Sequence, residues 1–223
     1  MMKKTLKLAF AAGAVLALAA CSASPGENSA SAAKPSFDLT VNTPAPSGEL
    51  DKLTWSLYAE PSSLDYAYAF DFSDNQVLAN VCESLLRLNA DMSVGPGLAT
   101  KFENPDPTTW VYNIREGVKF HDGTTLTADD VVFSMNRHLD PAVGSFWYSA
   151  YNNVKDIKKT GANEVTVTTK VPDALFNDSL SGAPGVIESE ATLKKAGADY
   201  GNSTGGVNCT GPFELKSWQN GEK

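Results

Sequence analysis

The stretch Gly117–Arg137, GVKFHDGTTLTADDVVFSMNR, carries the clearest local folding signals in the chain. Within it, His121-Asp-Gly123 has the composition of a tight turn, because aspartate and glycine tolerate the backbone conformations that turns require. Thr127 stands directly before a run with helical spacing and acidic residues in its first turn, which is typical of a helix N-terminus. We therefore expect a helix from Ala128 to about Leu139. The apolar residues of its buried face recur at helical intervals: Val131, Val132 and Met135.

Alternation of apolar and polar residues predicts strands on both sides of this stretch. Leu53–Tyr58 and Trp110–Arg115 each place three large apolar side chains on one face. Glu116-Gly117 then predicts a turn that pairs the second of these strands with Val118–Phe120. Another hairpin is expected where Gly161-Ala-Asn163 separates two further alternating segments, Val154–Thr160 and Glu164–Lys170.

Three further helices are predicted from apolar periodicity and from end signals. The first begins near Ser73, which has capping-box spacing to Gln76, and continues through Leu86. Gly95–Gly97 is then expected to be a turn. The other two helices are short, and Gly197 ends the second of them: Asp173–Leu180 and Glu190–Ala196. Helices mixed with hairpins indicate a mixed α/β fold.

The composition excludes several classes of protein. The 223 residues include 18 Lys and Arg against 26 Asp and Glu, and the net charge is -8. Nucleic acid is therefore a poor fit as a partner, since binding it needs clustered positive charge. Hydrophobic residues make up 42%, which suits a globular chain rather than a wholly disordered one. The sequence has no run of roughly 18 to 20 apolar residues that would span a bilayer.

The first residues have the pattern of an export signal followed by a lipid anchor. Lysines within residues 1–7 precede the apolar run Leu8–Ala20, which is too short for a stable transmembrane helix. Leu18-Ala-Ala-Cys21 resembles the lipobox of bacterial lipoproteins, in which the cysteine carries the lipid. Residues 21–50, rich in Ser, Ala and Pro, are expected to be a flexible tether. We therefore predict a signal peptide at 1–20, a lipidated Cys21 and a folded part at 51–223.

One catalytic pattern is present, although its context is unfavourable. Gly201-Asn-Ser-Thr-Gly205 matches the G-x-S-x-G pattern of a hydrolase nucleophile elbow, in which Ser203 would be the nucleophile. The elbow requires a strand before the serine and a later triad histidine, whereas the last histidine is His138. His121 and His138 have no cysteine or carboxylate at a familiar metal-ligand spacing. A secreted serine hydrolase is the alternative function, and we expect no metal and no cofactor.

Cys82 and Cys209 are the two thiols that remain if Cys21 is lipidated. In an oxidising compartment they are expected to form a disulfide. The alternative is a pair of buried free thiols, because a sequence does not show whether two Cα atoms lie close enough for a bridge.

Several blocks of the chain resemble, in the same order, the family 5 extracellular solute-binding proteins, which are the peptide and nickel receptors of ABC importers. The most characteristic block is Gly117–Arg137, and the others are LTWSLYAEPSSLD (53–65), NVCESLLRL (80–88), GPGLATKFE (95–103), TWVYNIREGVKF (109–120) and CTGPFELKSW (209–218). The resemblance implies lobes of the periplasmic-binding-protein-like type II fold. It also implies that the C-terminal half, in which the chain returns to the first lobe, is absent from this sequence.

The same resemblance implies a binding function rather than an enzymatic one. We expect a lipid-anchored, extracytoplasmic receptor that captures peptides or other small solutes. Its further partners would be an ABC permease with its ATPase, to which the cargo is delivered, and the membrane that holds the anchor.

Two groups of side chains are candidates for contact with the ligand. Glu60, Ser62 and Ser63 place polar groups in the loop after the first predicted strand, where ligands often meet a sheet. The second group belongs to the aromatic run Phe146-Trp-Tyr148 with Tyr151, which lies between two structured blocks; its candidates are Trp147, Tyr148 and Tyr151. Aromatic rings supply contact area at a low entropy cost, which suits a side-chain pocket for peptides. The alternative for this second group is a packing cluster under a loop.

Overall fold

The computed structural model describes residues 44–221, and within them six strands form two antiparallel sheets. The smaller sheet is a hairpin of β1 (Leu86–Leu88) and β2 (Val94–Pro96). The larger sheet contains β3 (Ala99–Asp106), β4 (Thr109–Ile114), β5 (Val154–Gly161) and β6 (Glu164–Thr169). Its strand order is β3–β4–β6–β5, so that β4 and β6 form the centre.

One helix precedes these strands, and the others lie between and after them. They are α1 (Phe72–Val81), α2 (Ala128–Arg137), α3 (Tyr148–Tyr151), α4 (Ala174–Ser179) and α5 (Glu190–Ala196). Short 3-10 turns occur at Ala183–Gly185 and Gly197–Asp199. The described part of the chain therefore has the mixed α/β architecture that the sequence predicts.

One face of the larger sheet forms the main core with α2. Tyr112 of β4 pairs with Val165 of β6, and both side chains are fully buried. The helix packs against β5 and β6, and its residues Val131 and Met135 belong to the same buried cluster. The hydrophobic effect of this burial is the main force that holds the helix on the sheet.

Most of the predicted elements are confirmed. The stretch that begins at Gly117 contains α2 as expected, and Asp130 Oδ2 accepts the Thr127 N–H at 2.9 Å in a capping box. The helix ends at Arg137, two residues before the predicted end. Asp173 caps α4, and Gly197, with a φ of 58°, ends α5. The hairpin of β5 and β6 and the strand β4 are also confirmed.

The first helix begins at Phe72, next to the predicted start, but its capping box and its end differ from the prediction. Asp74, rather than Gln76, completes the capping box, because its Oδ2 accepts the N–H of Asp71 at 3.3 Å. The helix stops at Val81, where Cys82 adopts an extended conformation. The sequence that follows forms the hairpin of β1 and β2, so the predicted turn at 95–97 is instead largely a strand.

Two predicted strands are also wrong, since an alternating pattern forms a strand only where another strand offers hydrogen bonds. Within residues 44–221 no strand pairs with Leu53–Tyr58, and Trp55 is 71% exposed. Val118–Phe120 does not pair with β4, because β3 and β6 already occupy its two edges. Lys119 instead forms an isolated bridge with Thr125.

The predicted signal peptide at 1–20, Cys21 and the tether as far as residue 43 lie outside the described residues.

A disulfide joins Cys82, just after α1, to Cys209, and their Cα atoms are 4.8 Å apart. Both cysteines are buried in a second apolar cluster that also contains Leu64, Leu78 and Val186. The bridge closes a loop with a sequence separation of 127 residues. In the chain-entropy model a loop of this size contributes roughly 4–5 kcal/mol by restricting the unfolded chain.

We predict that the double variant Cys82→Ala/Cys209→Ala loses about 2–5 kcal/mol of its free energy of unfolding, because the unfolded chain regains the freedom that the bridge removes. Urea unfolding of the full chain measures this loss. Dithiothreitol should destabilise the parent chain and leave the double variant unchanged. Superimposable unfolding curves of the parent chain with and without dithiothreitol would contradict the prediction.

Candidate functional site

Three exposed side chains, Tyr68, Phe70 and Phe146, form with the half-buried Trp147 a group that we call the aromatic cluster. The Phe70 ring centroid lies 5.8 Å from that of Trp147 and 6.0 Å from that of Phe146. The Tyr68 and Phe146 centroids are 6.4 Å apart. These rings are within packing distance of one another, yet Phe70 and Phe146 are 65% and 59% exposed. A contiguous exposed apolar group of this kind is typical of a binding surface.

Hydrogen bonds hold together the two chain segments that carry the aromatic cluster. The Trp147 indole N–H donates to the carbonyl of Tyr66 at 2.9 Å, and the backbone N–H of Phe146 donates to the carbonyl of Ala67 at 2.9 Å. The hydroxyl of Ser145 accepts the backbone N–H of Trp147 at 3.1 Å. The polar edge of the indole is thereby satisfied, which leaves its faces for apolar contact.

A buried ion network lies behind the first of these segments. The Arg137 guanidinium makes two hydrogen bonds to the Asp65 carboxylate, at 2.9 and 2.7 Å, and a third to Glu188 Oε2 at 2.8 Å. All three side chains are at most 9% exposed. Charges that are buried so deeply are stable only when they are paired in good geometry, and one arginine here serves two carboxylates.

The surroundings of this network shift the pKa values of Glu188 and His138. Burial, together with the charge of Asp65, raises the pKa of Glu188 to about 8, although Arg137 acts in the opposite direction. Burial and the Arg137 charge lower the pKa of His138 to about 4, so its imidazole is neutral at pH 7. His138 Nδ1 lies 2.7 Å from Ser145 Oγ, which ties it to the segment of Phe146 and Trp147.

The polar candidates from the sequence take part in contacts within the fold. Glu60 accepts the indole N–H of Trp218 at 2.9 Å and is an exposed residue. Ser62 donates from its backbone and its hydroxyl to the Asp74 carboxylate, at 2.7 and 3.0 Å. Ser63 Oγ accepts the backbone N–H of Asp65 at 3.1 Å. Glu60 also lines an open groove of about 710 Å³.

The aromatic candidates separate into surface and core residues. Trp147 belongs to the aromatic cluster, and its neighbour Tyr148 is 53% exposed. Tyr151 is fully buried, its hydroxyl donates to the carbonyl of Pro184 at 2.6 Å, and its ring packs 5.6 Å from that of Phe176. The expectation that Tyr151 contacts a ligand is therefore wrong, because this side chain fills the core.

The prediction from the sequence missed Tyr68 and Phe70 as members of the site, and it included Phe146 only as part of the aromatic run. A signal for Tyr68 and Phe70 was present, since residues 66–70 read YAYAF and alternate rings with alanines. Ala67 and Ala69 are fully buried, which leaves Tyr68 and Phe70 facing outward. The ion pairs of Arg137 had no comparable signal, because a basic residue at a helix C-terminus is ordinary on electrostatic grounds alone.

The G-x-S-x-G pattern at Gly201–Gly205, on which the alternative function rests, does not form a nucleophile elbow. A 3-10 turn at Gly197–Asp199 precedes Ser203 where the elbow requires a strand, and no helix follows in the described sequence. The two histidines are engaged elsewhere, His121 with the carbonyl of Gly211 and His138 with Ser145. The serine hydrolase alternative therefore has no structural support at this loop.

Within residues 44–221, no group of three or more His, Cys, Asp or Glu side chains is arranged to hold a metal ion. None of the helices described there has the length and apolar character needed to cross a membrane.

Comparison with known proteins identifies the family. The family model described as "Bacterial extracellular solute-binding proteins, family 5 Middle" matches residues 93–223, which is more than half of the chain. The chain belongs to this family. The resemblance noted in the sequence is thereby confirmed.

Individual relatives of this family 5 chain cover it only in part. The periplasmic murein peptide-binding protein MppA of Escherichia coli K12 is 32% identical over 127 residues, which are 54% of this chain and 24% of MppA. The glutathione-binding protein GsiB of Escherichia coli O1:K1 is 30% identical over 158 residues, which are 70% of this chain and 30% of GsiB.

Solved structures show the same fold. The structure of OppA from Burkholderia pseudomallei matches with a TM-score of 0.67 and 28% identity, over 73% of this chain and 35% of OppA. The predicted type II periplasmic-binding-protein-like class is therefore confirmed for the part of the fold that this chain contains. The chain spans about a quarter to a third of the length of these relatives.

We predict that the titration of Glu188 makes the free energy of unfolding of this chain fall as the pH rises towards 8. The pKa of Glu188 is about 8 in the fold against an ordinary value of 4.5, so the folded state binds its proton more tightly and stability falls as pH rises through this interval. Above pH 6.5 the His138 titration no longer contributes, because its folded pKa is about 4. Between pH 6.5 and 8 the free energy of unfolding should fall by roughly 1–2 kcal/mol.

Urea unfolding at several pH values in this window measures the slope, and Glu188→Gln should remove it. The control is Glu83→Gln, which alters the half-exposed pair of Glu83 with Arg115 and should keep the slope. Equal slopes for the parent chain and Glu188→Gln would refute the assignment to Glu188.

Proposed function

We propose that this chain supplies part of the ligand-binding surface of an extracytoplasmic receptor that captures peptides for an ABC importer. Membership of the solute-binding family supports the binding role. The observation that carries the proposal is the aromatic cluster, which is exposed, held by hydrogen bonds and placed on a fold of this family.

Peptides are the proposed cargo because their side chains match the chemistry of the aromatic cluster. Exposed rings pack against apolar side chains with little loss of conformational entropy. Among the relatives, MppA is named for a murein peptide and GsiB for glutathione, which is itself a peptide. Peptide cargo for the present chain is an inference from these two lines of support.

Polar groups of the chain would contact the backbone or the charged ends of a peptide. We assign this role to Glu60, Ser62 and Ser63, with Trp147 and Tyr148 as the apolar contacts. All three make hydrogen bonds inside the fold, and among them Glu60 is the residue that is exposed and that lines an open groove.

The proposed mechanism involves no bond making. A receptor of this kind binds its cargo between lobes, and the ligand shifts the population towards the state that holds it more tightly. Delivery to a permease with its ATPase would then follow from the difference between these two states. A preformed aromatic surface reduces the entropy that binding must overcome.

Isothermal titration of the full chain with a library of di- to pentapeptides tests the proposal. We predict that Trp147→Ala and Phe70→Ala each lower peptide affinity about tenfold or more, as the loss of a central aromatic contact usually does. Phe213→Ala is the matched control, because Phe213 is 63% exposed but its segment hydrogen-bonds to Asn80 instead of the cluster. Absence of binding by every peptide, or equal losses in all three variants, would reject the proposal.

We also propose that residues 1–21 attach this receptor to the outer face of a membrane. The support is the lysine-rich start, the short apolar run and the cysteine at position 21. Two or more acyl chains anchor a protein durably, whereas one gives only marginal binding.

The anchor is tested by expressing the full sequence in a bacterium and fractionating the cells. The parent chain should partition with membranes and incorporate labelled palmitate, and Cys21→Ala should lose the label and leave the membrane fraction. The control Cys209→Ala should keep both properties, since Cys209 is buried in a disulfide. Label in the Cys21→Ala chain would refute the proposed anchor.

A further inference from the structure

Tyr66 and Ala67 connect the buried ion network to the aromatic cluster. Their backbone N–H groups point to the two carboxylates, that of Tyr66 to Glu188 Oε1 at 3.4 Å and that of Ala67 to Asp65 Oδ1 at 2.9 Å. Their carbonyl groups accept the hydrogen bonds of Trp147 and Phe146, both at 2.9 Å. Every backbone polar group of this two-residue segment is therefore used to join the network to the cluster.

Arg137 holds both carboxylates at the inner end of this connection. Its guanidinium binds both oxygens of Asp65, and its Nη1 is shared with Glu188 Oε2. A planar guanidinium fixes the orientation of a carboxylate through two parallel bonds, which an ammonium group does not do. The carboxylate oxygens that face Tyr66 and Ala67 are therefore oriented by Arg137.

We propose that Arg137 is a positioning residue for the aromatic cluster. Through Asp65 and Glu188 it sets the backbone of Tyr66 and Ala67, and through that backbone it sets the orientation of Trp147 and Phe146. On the proposed function the cluster is the ligand surface, so Arg137 governs the shape of that surface without touching the ligand.

A purely stabilising role for Arg137 makes a different prediction, and a second arginine separates the two. Arg115 also makes two bonds to one carboxylate, at 2.9 and 3.0 Å from Glu83, and it contacts the carbonyl of Gly97. Its partners carry no residue of the cluster. If Arg137 only stabilised the fold, its loss and the loss of Arg115 would leave the surroundings of Trp147 equally unchanged.

Fluorine NMR of the full chain labelled with 5-fluorotryptophan tests the proposal without any ligand. The sequence contains four tryptophans, and Trp147→Phe assigns one resonance to Trp147. In Arg137→Met we expect the Trp147 resonance to shift or broaden while that of Trp110, in β4, stays in place. Arg137→Lys keeps the positive charge but lacks the planar guanidinium, so it should change the Trp147 resonance less. Arg115→Met should not change the Trp147 resonance.

A Trp147 resonance that coincides in the parent chain and in folded Arg137→Met would overturn the proposal, as would an equal change in Arg115→Met. If Arg137→Met is unfolded, as a spectrum without dispersion would show, Arg137→Lys is compared with the parent chain instead. A Trp147 resonance that coincides in these two chains would likewise overturn the proposal. Because this readout needs no peptide, its outcome is independent of the titrations that test the proposed function.

Discussion

The pairing of one buried arginine with two buried carboxylates is the constraint on which the rest of the site depends. Removing a charged side chain from water costs several kcal/mol, and only close, well-oriented partners offset that cost. Asp65, Arg137 and Glu188 come from three distant parts of the chain, and each is nearly inaccessible to solvent. Burial of these groups therefore requires three segments to meet with correct geometry. They are the loop before α1, the end of α2 and the segment before α5.

The helix α2 performs two tasks with two different faces. Its apolar face, with Val131 and Met135, packs on the sheet. A polar stripe at helical spacing holds the segment that leads into α5. Asp130 Oδ1 accepts the N–H of Glu190, the first residue of α5. Ser134 exchanges hydrogen bonds with the backbone of Glu188, and Arg137 binds the Glu188 carboxyl group. The next residue, His138, reaches Ser145, so the end of one helix contacts both segments that carry the aromatic cluster.

The sequence predicts what is local and misses what depends on distant partners. The cap at Thr127, the hairpin of β5 and β6 and the stop at Gly197 follow from adjacent residues, and all are found. Leu53–Tyr58 has strand alternation, but pairing needs another strand, and none adjoins it within the described range. Tyr151 and Trp147 lie four residues apart in one aromatic run, and only packing places the first in the core and leaves the second half-buried in the aromatic cluster. The ion pairs of Arg137 join positions 72 and 51 residues away, a separation at which local pattern carries no information.

These features explain how a surface can remain apolar and still have a defined shape. Phe70 and Phe146 gain little from burial in this chain, so their own contacts do not fix their positions. The Phe146 segment is fixed instead by its backbone hydrogen bond to the carbonyl of Ala67. The N–H of Ala67 is in turn bound to the buried carboxylate of Asp65, whose charge is costly to leave unpaired. The carboxyl groups of Asp65 and Glu188 share a single arginine, and their negative charges repel one another. A change in the protonation of Glu188 therefore changes the electrostatic interactions among Asp65, Arg137 and Glu188. The surface that meets the solute and the interior that stabilises the fold are thus parts of one hydrogen-bonded structure, and a substitution in the interior is felt at the surface.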